Sequence, residues 1–184
     1  MRQRVTKTGA HPQNVDGRSD NRPVKSDAMV RRATADDAPE VVRLSARMYF
    51  EMGLPHTETG AWRATAEART ATGLADGSVA ACVVDDPDWV GRLVASAAVT
   101  LAHRLPTPRN PTGTSAYVQY VCTEPGHRGR GLGRQIVHAL IEWSRVSDVG
   151  VVELRTTPDG DALYRSLGFT DGPNPALRLT LVTR

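Results

Sequence analysis

The chain of 184 residues has the length of one globular domain with a substantial core, and 40% hydrophobic with 23% charged residues are ordinary for such a domain. Its net charge of +3 lies wholly in residues 1–28, which hold six basic and three acidic side chains, so that 17 basic residues balance 17 acidic ones elsewhere. This neutral remainder argues against a general nucleic-acid-binding protein, and no apolar run approaches the roughly 18 residues that span a membrane.

The first 28 residues contain no aromatic side chain and few large apolar ones. Such a segment cannot bury enough surface to offset the entropy of ordering, so we expect a disordered tail at 1–28 and one domain at 29–184. The tail also lacks the apolar stretch of a secretory signal, which by default predicts a cytoplasmic protein. Cys82 and Cys122 lie in apolar runs and are too few for a disulfide framework or a metal site, so we expect buried free thiols.

Beyond the tail, the apolar pattern predicts the element order β-α-α-β-β-β-α-β-α-β. A hairpin-rich first half followed by a strand–helix–strand unit predicts a mixed α/β sheet. The first helix has Thr34 or Asp36 as its cap and ends at Gly53. The other helices are expected at about 59–74, from 132 onward and at about 159–167, and the strands at 29–33, 78–84, 89–101, 114–123, 149–154 and 177–182.

Three local patterns add detail to this order. Residues 149–154 are almost continuously apolar, as is typical of a strand that is covered on both faces. Residues 104–113 contain three prolines and predict a loop. The helix after Gly131 carries its large apolar side chains on one face, which predicts packing on the core: Leu132, Ile136, Val137, Leu140, Ile141 and Trp143.

Residues 121–134 hold the most informative pattern, in which an apolar strand passes a Pro-Gly break and then three glycines and three arginines before a helix. Gly129, Gly131 and Gly133 let the backbone approach a ligand closely and adopt a positive φ. A helix start also offers about four unpaired N–H groups and a positive charge of about half a unit. Together these features predict a binding site for a phosphate-bearing ligand.

Three nucleotide-binding motifs can be compared with this stretch. A P-loop is excluded, because no Gly-Lys pair is followed by Ser or Thr. The dinucleotide fingerprint lacks its last glycine, where an arginine or an isoleucine stands; Glu153 lies at a suitable distance downstream, so this interpretation is weakened but stays open. The third motif, Gln/Arg-x-x-Gly-x-Gly/Ala, is filled by Arg128, Gly131 and Gly133.

With this third motif, and with Ala-Leu-Tyr-Arg-Ser-Leu-Gly-Phe at 162–169, the chain resembles the general-control-related N-acetyltransferase (GNAT) superfamily over about residues 29–184. The second segment follows the first after one intervening strand, and the element order agrees. The resemblance implies a mixed, mostly antiparallel sheet of six to seven strands, flanked by about four helices. It also implies that the strand ending near Val121 bulges and splays from the strand at 149–155, opening a V-shaped slot for the pantetheine of acetyl-CoA.

The resemblance assigns roles to individual residues. Main-chain groups of Val121 and Thr123 would pair with the pantetheine amides, and the Val121 N–H would stabilise the developing oxyanion. Tyr164 corresponds to the tyrosine that protonates the leaving thiolate. The side chains of Arg128 and Arg130 are either further phosphate ligands or solvated. The backbone that would hold the pyrophosphate comprises Arg128, Gly129, Arg130, Gly131, Leu132, Gly133 and Arg134.

The resemblance does not fix the general base. Some family members carry a glutamate four residues before the oxyanion donor, where this chain has Tyr117. Many members open the last short helix with an asparagine, where this chain has the acidic stretch at 158–161. Attack by an amine already deprotonated in solution stays open. So does a base acting directly or through water, drawn from residues that are otherwise ordinary surface residues: Glu51, His56, Glu58 and His103.

These features predict an acyl-CoA-dependent N-acyltransferase that transfers an acyl group, with acetyl favoured over longer chains, by direct attack of an amine. The neutral folded part favours a primary amine of a small molecule as acceptor, and we expect the loop at 104–113 to border its pocket. No metal, nucleic acid or membrane is expected to take part. A protein N-acetyltransferase and a CoA-binding regulatory or scaffold module without turnover stay open as alternatives, and the sequence is compatible with a homodimer.

Overall fold

The computed structural model describes residues 29–54, 60–173 and 175–181, so the predicted tail at 1–28 lies outside the described residues. The described part forms five strands and four α-helices, with short 3-10 turns before α1 (Ala35–Asp37) and before α3 (Pro125–His127). In chain order the elements are β1 (Val30–Arg32), α1 (Ala38–Glu51), α2 (Ala61–Asp76), β2 (Val79–Asp85), β3 (Leu93–His103), β4 (Thr114–Thr123), α3 (Leu132–Val146), β5 (Val151–Glu153) and α4 (Pro158–Arg165).

The strands form one sheet in the order β1-β2-β3-β4-β5, in which only β4 and β5 run parallel. The helix α1 packs on one face through Val41 and Leu44. The helix α3 packs on the other face through Ile136 and Leu140, as its apolar stripe predicts. The mixed, mostly antiparallel sheet between helices is therefore confirmed, with five strands in the described part, and both cysteines are buried free thiols.

The sixth strand predicted at 177–182 is not formed by residues 177–181, and Val182 lies outside the described residues. Leu177, Leu179 and Leu181 are 94%, 84% and 80% exposed. Their alternation is typical of a strand, but a strand also needs a partner, and this segment pairs with none in the described part. As a result β5 is the edge strand there, and its residues are half-buried rather than covered on both faces as predicted.

Two element boundaries differ from prediction. The strand β3 begins at Leu93, because residues 86–92 form a turn closed by a hydrogen bond from the Asp86 N–H to the Arg92 carbonyl (2.8 Å). The helix α2 continues past Gly73, where a Cβ would approach Val79 to 2.4 Å, so the glycine lets the helix lie close to β2.

Candidate active site

A β-bulge interrupts β4 close to its end. Tyr120 and Val121 lie opposite the single residue Ala97 of β3, where the register of the two strands shifts. Tyr120 has a φ of 57°, a left-handed conformation that costs a non-glycine residue about 1–2 kcal/mol. A bulge leaves one residue outside the ladder and redirects its neighbours. The bulge expected near Val121 is therefore confirmed.

The strands β4 and β5 part beside this bulge. Their parallel pairing runs from Ser115 opposite Val151 to Tyr117 opposite Glu153, where β5 ends. The strand β4 continues to Thr123. From residue 118 onward, no strand of the described part pairs with β4 on the β5 side. The expected splaying is thus present as an unpaired edge of β4, and the region beside this edge, from Val121 to Thr123, is called the slot.

The glycine stretch closes this slot at the start of α3. Gly129 and Gly131 have φ values of 73° and 78°, a region that side-chain-bearing residues rarely adopt. Gly131 is also the N-cap of α3, and a glycine has no side chain with which to cap the first N–H groups of the helix. These N–H groups therefore point into the loop region, where an anion would find both donors and the positive end of the helix dipole.

A cavity of about 220 Å³ lies against this helix start, between the loop, Thr123 of β4 and Leu163 of α4. A Cβ at Gly133 would lie 3.7 Å from Leu163 Cδ2 and 4.0 Å from Thr123 Oγ1, so the missing side chain leaves room between β4 and α4. The cavity is lined by all the predicted phosphate-binding positions except Arg130, namely Arg128, Gly129, Gly131, Leu132, Gly133 and Arg134.

A larger groove of about 450 Å³ lies elsewhere, between α2 and the strands β2 and β3. It is lined by residues such as Thr72, Val79 and Leu101 and by none of the predicted site residues. Its size alone does not make it a site, and the smaller cavity is the one where helix N–H groups, glycines and the parted strands meet.

The three arginines of the loop have different partners. Arg128 donates from Nε to the Thr123 carbonyl (3.0 Å) and from Nη2 to Glu51 of α1 (2.5 Å). Arg130 donates to the carbonyl of Gly126 within its own loop (3.0 Å). Arg134 donates to Ser166 Oγ just after α4 (2.5 Å). Only the guanidinium of Arg128 therefore joins the cavity to α1.

Tyr164 projects from α4 toward the α3 side of the sheet. Its ring meets that of Phe169 edge-on, with centroids 5.9 Å apart, and both Tyr164 and Val121 pack against the same core cluster. Burial raises the pKa of the Tyr164 hydroxyl, which favours its protonated form. Within the described residues this hydroxyl has no hydrogen-bond partner, so its proton is not already committed to a neighbouring group.

The acidic stretch at 158–161 forms the first turn of α4, with Thr157 as N-cap and Pro158 in the first turn. Asp161 pairs with Arg165 one turn along the helix (3.4 Å). An acidic first turn stabilises a helix start, which gives this stretch a structural explanation.

Glu124, next to the cavity-lining Thr123, is a buried carboxylate that the sequence did not single out. It directly follows β4, is 7% exposed, and pairs with Arg43 (2.5 Å) and Arg47 (3.5 Å) of α1 and with Arg92 before β3 (3.6 Å). Burial alone would raise the pKa of this carboxyl, but the bond to Arg43 and the charges of the three arginines outweigh it and lower the pKa. Glu124 therefore fixes the end of β4 to α1 as an anion. A carboxylate at a strand end was visible in the sequence; its partners were not.

The candidate bases lie in different places. His103 ends β3 opposite Thr114, and Val121 lies seven residues farther along β4, which puts His103 at a distance of about 23 Å along the strand. Glu51 ends α1 and is paired with Arg128. His56 and Glu58 lie outside the described residues. Of the candidates in the described part, only Glu51 is near the slot.

The loop at 104–113 lies at the same far end as His103. Asn110 donates from its amide to the Thr114 carbonyl and to Ser115 Oγ, both at 3.2 Å, and so fastens the start of β4. The loop therefore lies at the end of β4 away from the bulge, and its place beside the acceptor pocket stays a prediction.

Aromatic rings line the α1 side of the bulge. Tyr49 of α1 meets Tyr120 edge-on with centroids 6.2 Å apart, and meets Trp62 of α2 at 6.0 Å. Burial raises the pKa of both tyrosine hydroxyls, so this wall is uncharged at neutral pH. The two faces of β4 at the bulge thus differ, with Tyr164 on one and an aromatic cluster on the other.

No group of three or more His, Cys, Asp or Glu residues in the described ranges is placed to hold a metal ion. Among the helices of these same ranges, none has the length and apolar character needed to cross a membrane.

Comparison with proteins of similar sequence points to one family. The acetyltransferase (GNAT) domain family matches residues 76–171, just over half of the chain. An uncharacterized N-acetyltransferase of Pyropia yezoensis (ycf52) is 27% identical over 101 residues, covering 55% of this chain and 53% of that protein. The N-alpha-acetyltransferase RimI of Mycobacterium tuberculosis is 40% identical over 55 residues, covering 28% of this chain and 33% of that protein. The chain thus spans about half and about a third of the lengths of these relatives.

Solved structures agree at the level of the fold. A predicted acetyltransferase with acetyl-CoA from Clostridium acetobutylicum aligns with a TM-score of 0.73 at 21% identity, over 83% of this chain and 95% of that chain. A GCN5-related N-acetyltransferase from Ralstonia eutropha JMP134 aligns with a TM-score of 0.71 at 22% identity, over 82% and 97%. With the family match over residues 76–171, these findings establish that the chain belongs to the GNAT acetyltransferase family.

Proposed function

We propose that the chain is an N-acetyltransferase that uses acetyl-CoA as donor and a primary amine of a small molecule as acceptor. The observation that carries this proposal is a single juxtaposition: Thr123 at the end of the unpaired β4 edge, the uncapped start of α3 and Leu163, the neighbour of Tyr164 on α4, line one cavity. The structural neighbour from Clostridium acetobutylicum is a protein with acetyl-CoA, which supports the same donor here.

The described residues fit the donor. The cavity at the start of α3 offers N–H groups and glycine backbone to a pyrophosphate, with Arg128 and Arg134 in its lining. The unpaired edge of β4 offers the main-chain groups of Val121 and Thr123 to the pantetheine amides, as a neighbouring strand would. Acetyl-CoA supplies the thioester carbonyl that the amine attacks.

Two groups would then serve the reaction. The Val121 N–H, redirected by the bulge, would donate to the carbonyl oxygen as negative charge develops there. Tyr164 would give its proton to the departing thiolate, and its raised pKa keeps that proton in place at neutral pH. In the resulting exchange the C–N bond forms and the C–S bond breaks, and the proton that the amine loses replaces, directly or through solvent, the one that Tyr164 gives to the thiolate.

The acceptor would approach from the α1 side of β4, where the aromatic cluster of Tyr49, Trp62 and Tyr120 lies. An uncharged aromatic wall favours an amine with an apolar body, and ring faces also attract an ammonium group. A protein N-terminus is a second candidate acceptor, favoured by the similarity of 55 residues to the N-alpha-acetyltransferase RimI.

The test is a thiol-release assay with acetyl-CoA and the full chain across a panel of small primary amines and short peptides. Half of the peptides have a free N-terminus, and half have a blocked one of the same sequence. We expect CoA release with at least one small amine, and the acetylated product identified by mass. Release only with free peptide N-termini would select the second candidate. Acetyl-CoA binding without release on any acceptor would indicate a binding module instead.

A further inference from the structure

The contacts of Arg128 oppose the donor binding that is proposed for the slot. Arg128 holds the carboxylate of Glu51 at 2.5 Å through Nη2, and its Nε holds the Thr123 carbonyl at 3.0 Å. The Thr123 main chain is a proposed partner of the pantetheine, and Arg128 lines the cavity proposed for the pyrophosphate. These two bonds therefore engage the Arg128 guanidinium and the Thr123 carbonyl, both of which the proposed donor would need.

A guanidinium binds carboxylate and phosphate through the same pair of donors, so the two anions compete for it. Glu51 is suited to give Arg128 up. It is the last residue of α1, its side chain is 35% exposed, and it has a second partner in Arg47 at 3.4 Å. After release its charge would still be paired, which keeps the cost of release small.

The pair lies against the end of β4, with the Arg128 and Glu51 side chains 47% and 35% exposed. Burial raises the pKa of the Cys122 thiol to about 11, and the charge of Glu51 adds to this effect while that of Arg128 opposes it. Both charges therefore act on Cys122, the residue that follows Val121 in β4.

We propose that Glu51 is a positioning residue that competes with the donor phosphates for Arg128. The inference rests on the proposed function, since the competing phosphates are those of acetyl-CoA. When the donor binds, Arg128 leaves Glu51 and Thr123 and turns to the pyrophosphate. When CoA departs, Glu51 recaptures Arg128, so the pair lowers the affinity for donor and product alike and speeds product release.

The first test is Glu51→Gln, with affinity measured by calorimetry at low ionic strength. We expect acetyl-CoA and CoA to bind about two- to tenfold more tightly, because their phosphates no longer compete with a carboxylate. S-acetyl-pantetheine, which has no phosphate, should bind with unchanged affinity. The matched control is Glu142→Gln, which removes a carboxylate paired with Arg145 near the far end of α3 and should change neither affinity.

A double-mutant cycle separates competition from a general effect of charge. On an Arg128→Gln background, Glu51→Gln should no longer tighten acetyl-CoA binding. Equal tightening with and without Arg128, equal tightening of S-acetyl-pantetheine, or no tightening at all would each overturn the inference while acetyl-CoA binding itself stands. A wild-type chain that does not bind acetyl-CoA would instead overturn the proposed function, and this inference with it.

Discussion

At the scale of single residues, Tyr164 is partly buried, and its hydroxyl donates no hydrogen bond to any of the described residues. Its ring is held by Phe169, and the raised pKa, above the ordinary 10.0 of tyrosine, keeps the hydroxyl protonated through the neutral range. An acid in this state needs no partner to supply its proton. Its geometry is therefore fixed by packing alone, which a phenylalanine would preserve.

Tyr164→Phe should lower kcat for amine acetylation about 100-fold, because the departing thiolate loses its proton donor. The affinity for acetyl-CoA should stay within about twofold of wild type, since the ring and its packing remain. Steady-state rates from pH 6 to 9 and calorimetry with acetyl-CoA check both parts. A variant with the wild-type rate across this whole pH range would show that Tyr164 is not the acid.

Glu124 shows how a residue outside the chemistry fastens the end of β4 to α1. Glu124→Gln removes the charge shared by Arg43, Arg47 and Arg92, and we expect the free energy of unfolding to fall by about 2 kcal/mol. Urea unfolding at pH 7 measures this change. Glu142→Gln, at an exposed pair, should cost less than about 0.5 kcal/mol.

The difference between wild type and Glu124→Gln should also depend on pH. The pKa of Glu124 is lowered from its ordinary 4.5 in the folded state, so its charge adds stability above pH 4.5. This contribution is lost as the pH falls below about 4.5 and through the lowered value. Urea midpoints of the two proteins should therefore converge in acid; a gap that stays constant would mean that the carboxylate charge is not what stabilises the fold.

At the scale of elements, the start of α3 has space beside it because Gly133 has no side chain. Gly133→Leu should fill the space between Thr123 and Leu163 and weaken acetyl-CoA binding at least about tenfold. Stability should be unchanged or slightly higher, since leucine favours a helix over glycine by about 0.8 kcal/mol. Calorimetry and urea unfolding separate these two effects.

Gly126→Ala is the matched control for that variant. It lies in the 3-10 turn that precedes α3, has no positive φ, and a Cβ there would meet nothing within 4 Å. It should bind acetyl-CoA as wild type does. Weakened binding in both variants would mean that the loop as a whole, and not the space beside Gly133, limits the affinity.

At the scale of the whole molecule, the described sheet is complete without the segment at 175–181. Ending the chain after Asn174 should change the free energy of unfolding by less than about 1 kcal/mol, because the three leucines bury little surface. Burial of three leucines in a sixth strand would instead make the truncation cost several kcal/mol, at about 1.5–3 kcal/mol each. Urea unfolding of the two lengths decides between these outcomes.

The parts of the site that the sequence predicted are those whose signal is local. A positive φ at Gly129 and Gly131 requires a particular residue type, and the stripe on α3 follows from helix periodicity. The bulge came from family resemblance only, since nothing in the sequence around Tyr120 marks a left-handed residue. Contacts between distant residues stayed hidden: Glu124 and Arg43 are 81 residues apart, and Arg128 and Glu51 are 77 apart.

The unpaired edge of β4 also affects the stability of the protein when no donor is bound. Six residues of β4, from 118 to 123, follow the last pair with β5, and alternate residues among them direct main-chain groups to that side. An open strand edge is a template for another extended chain, and proteins usually protect such edges. A donor seated there would cover the edge, and at 100 times its Kd it would add about 2.7 kcal/mol to the free energy of unfolding. Bound acetyl-CoA would then protect the folded chain from aggregation as well as supply the acetyl group.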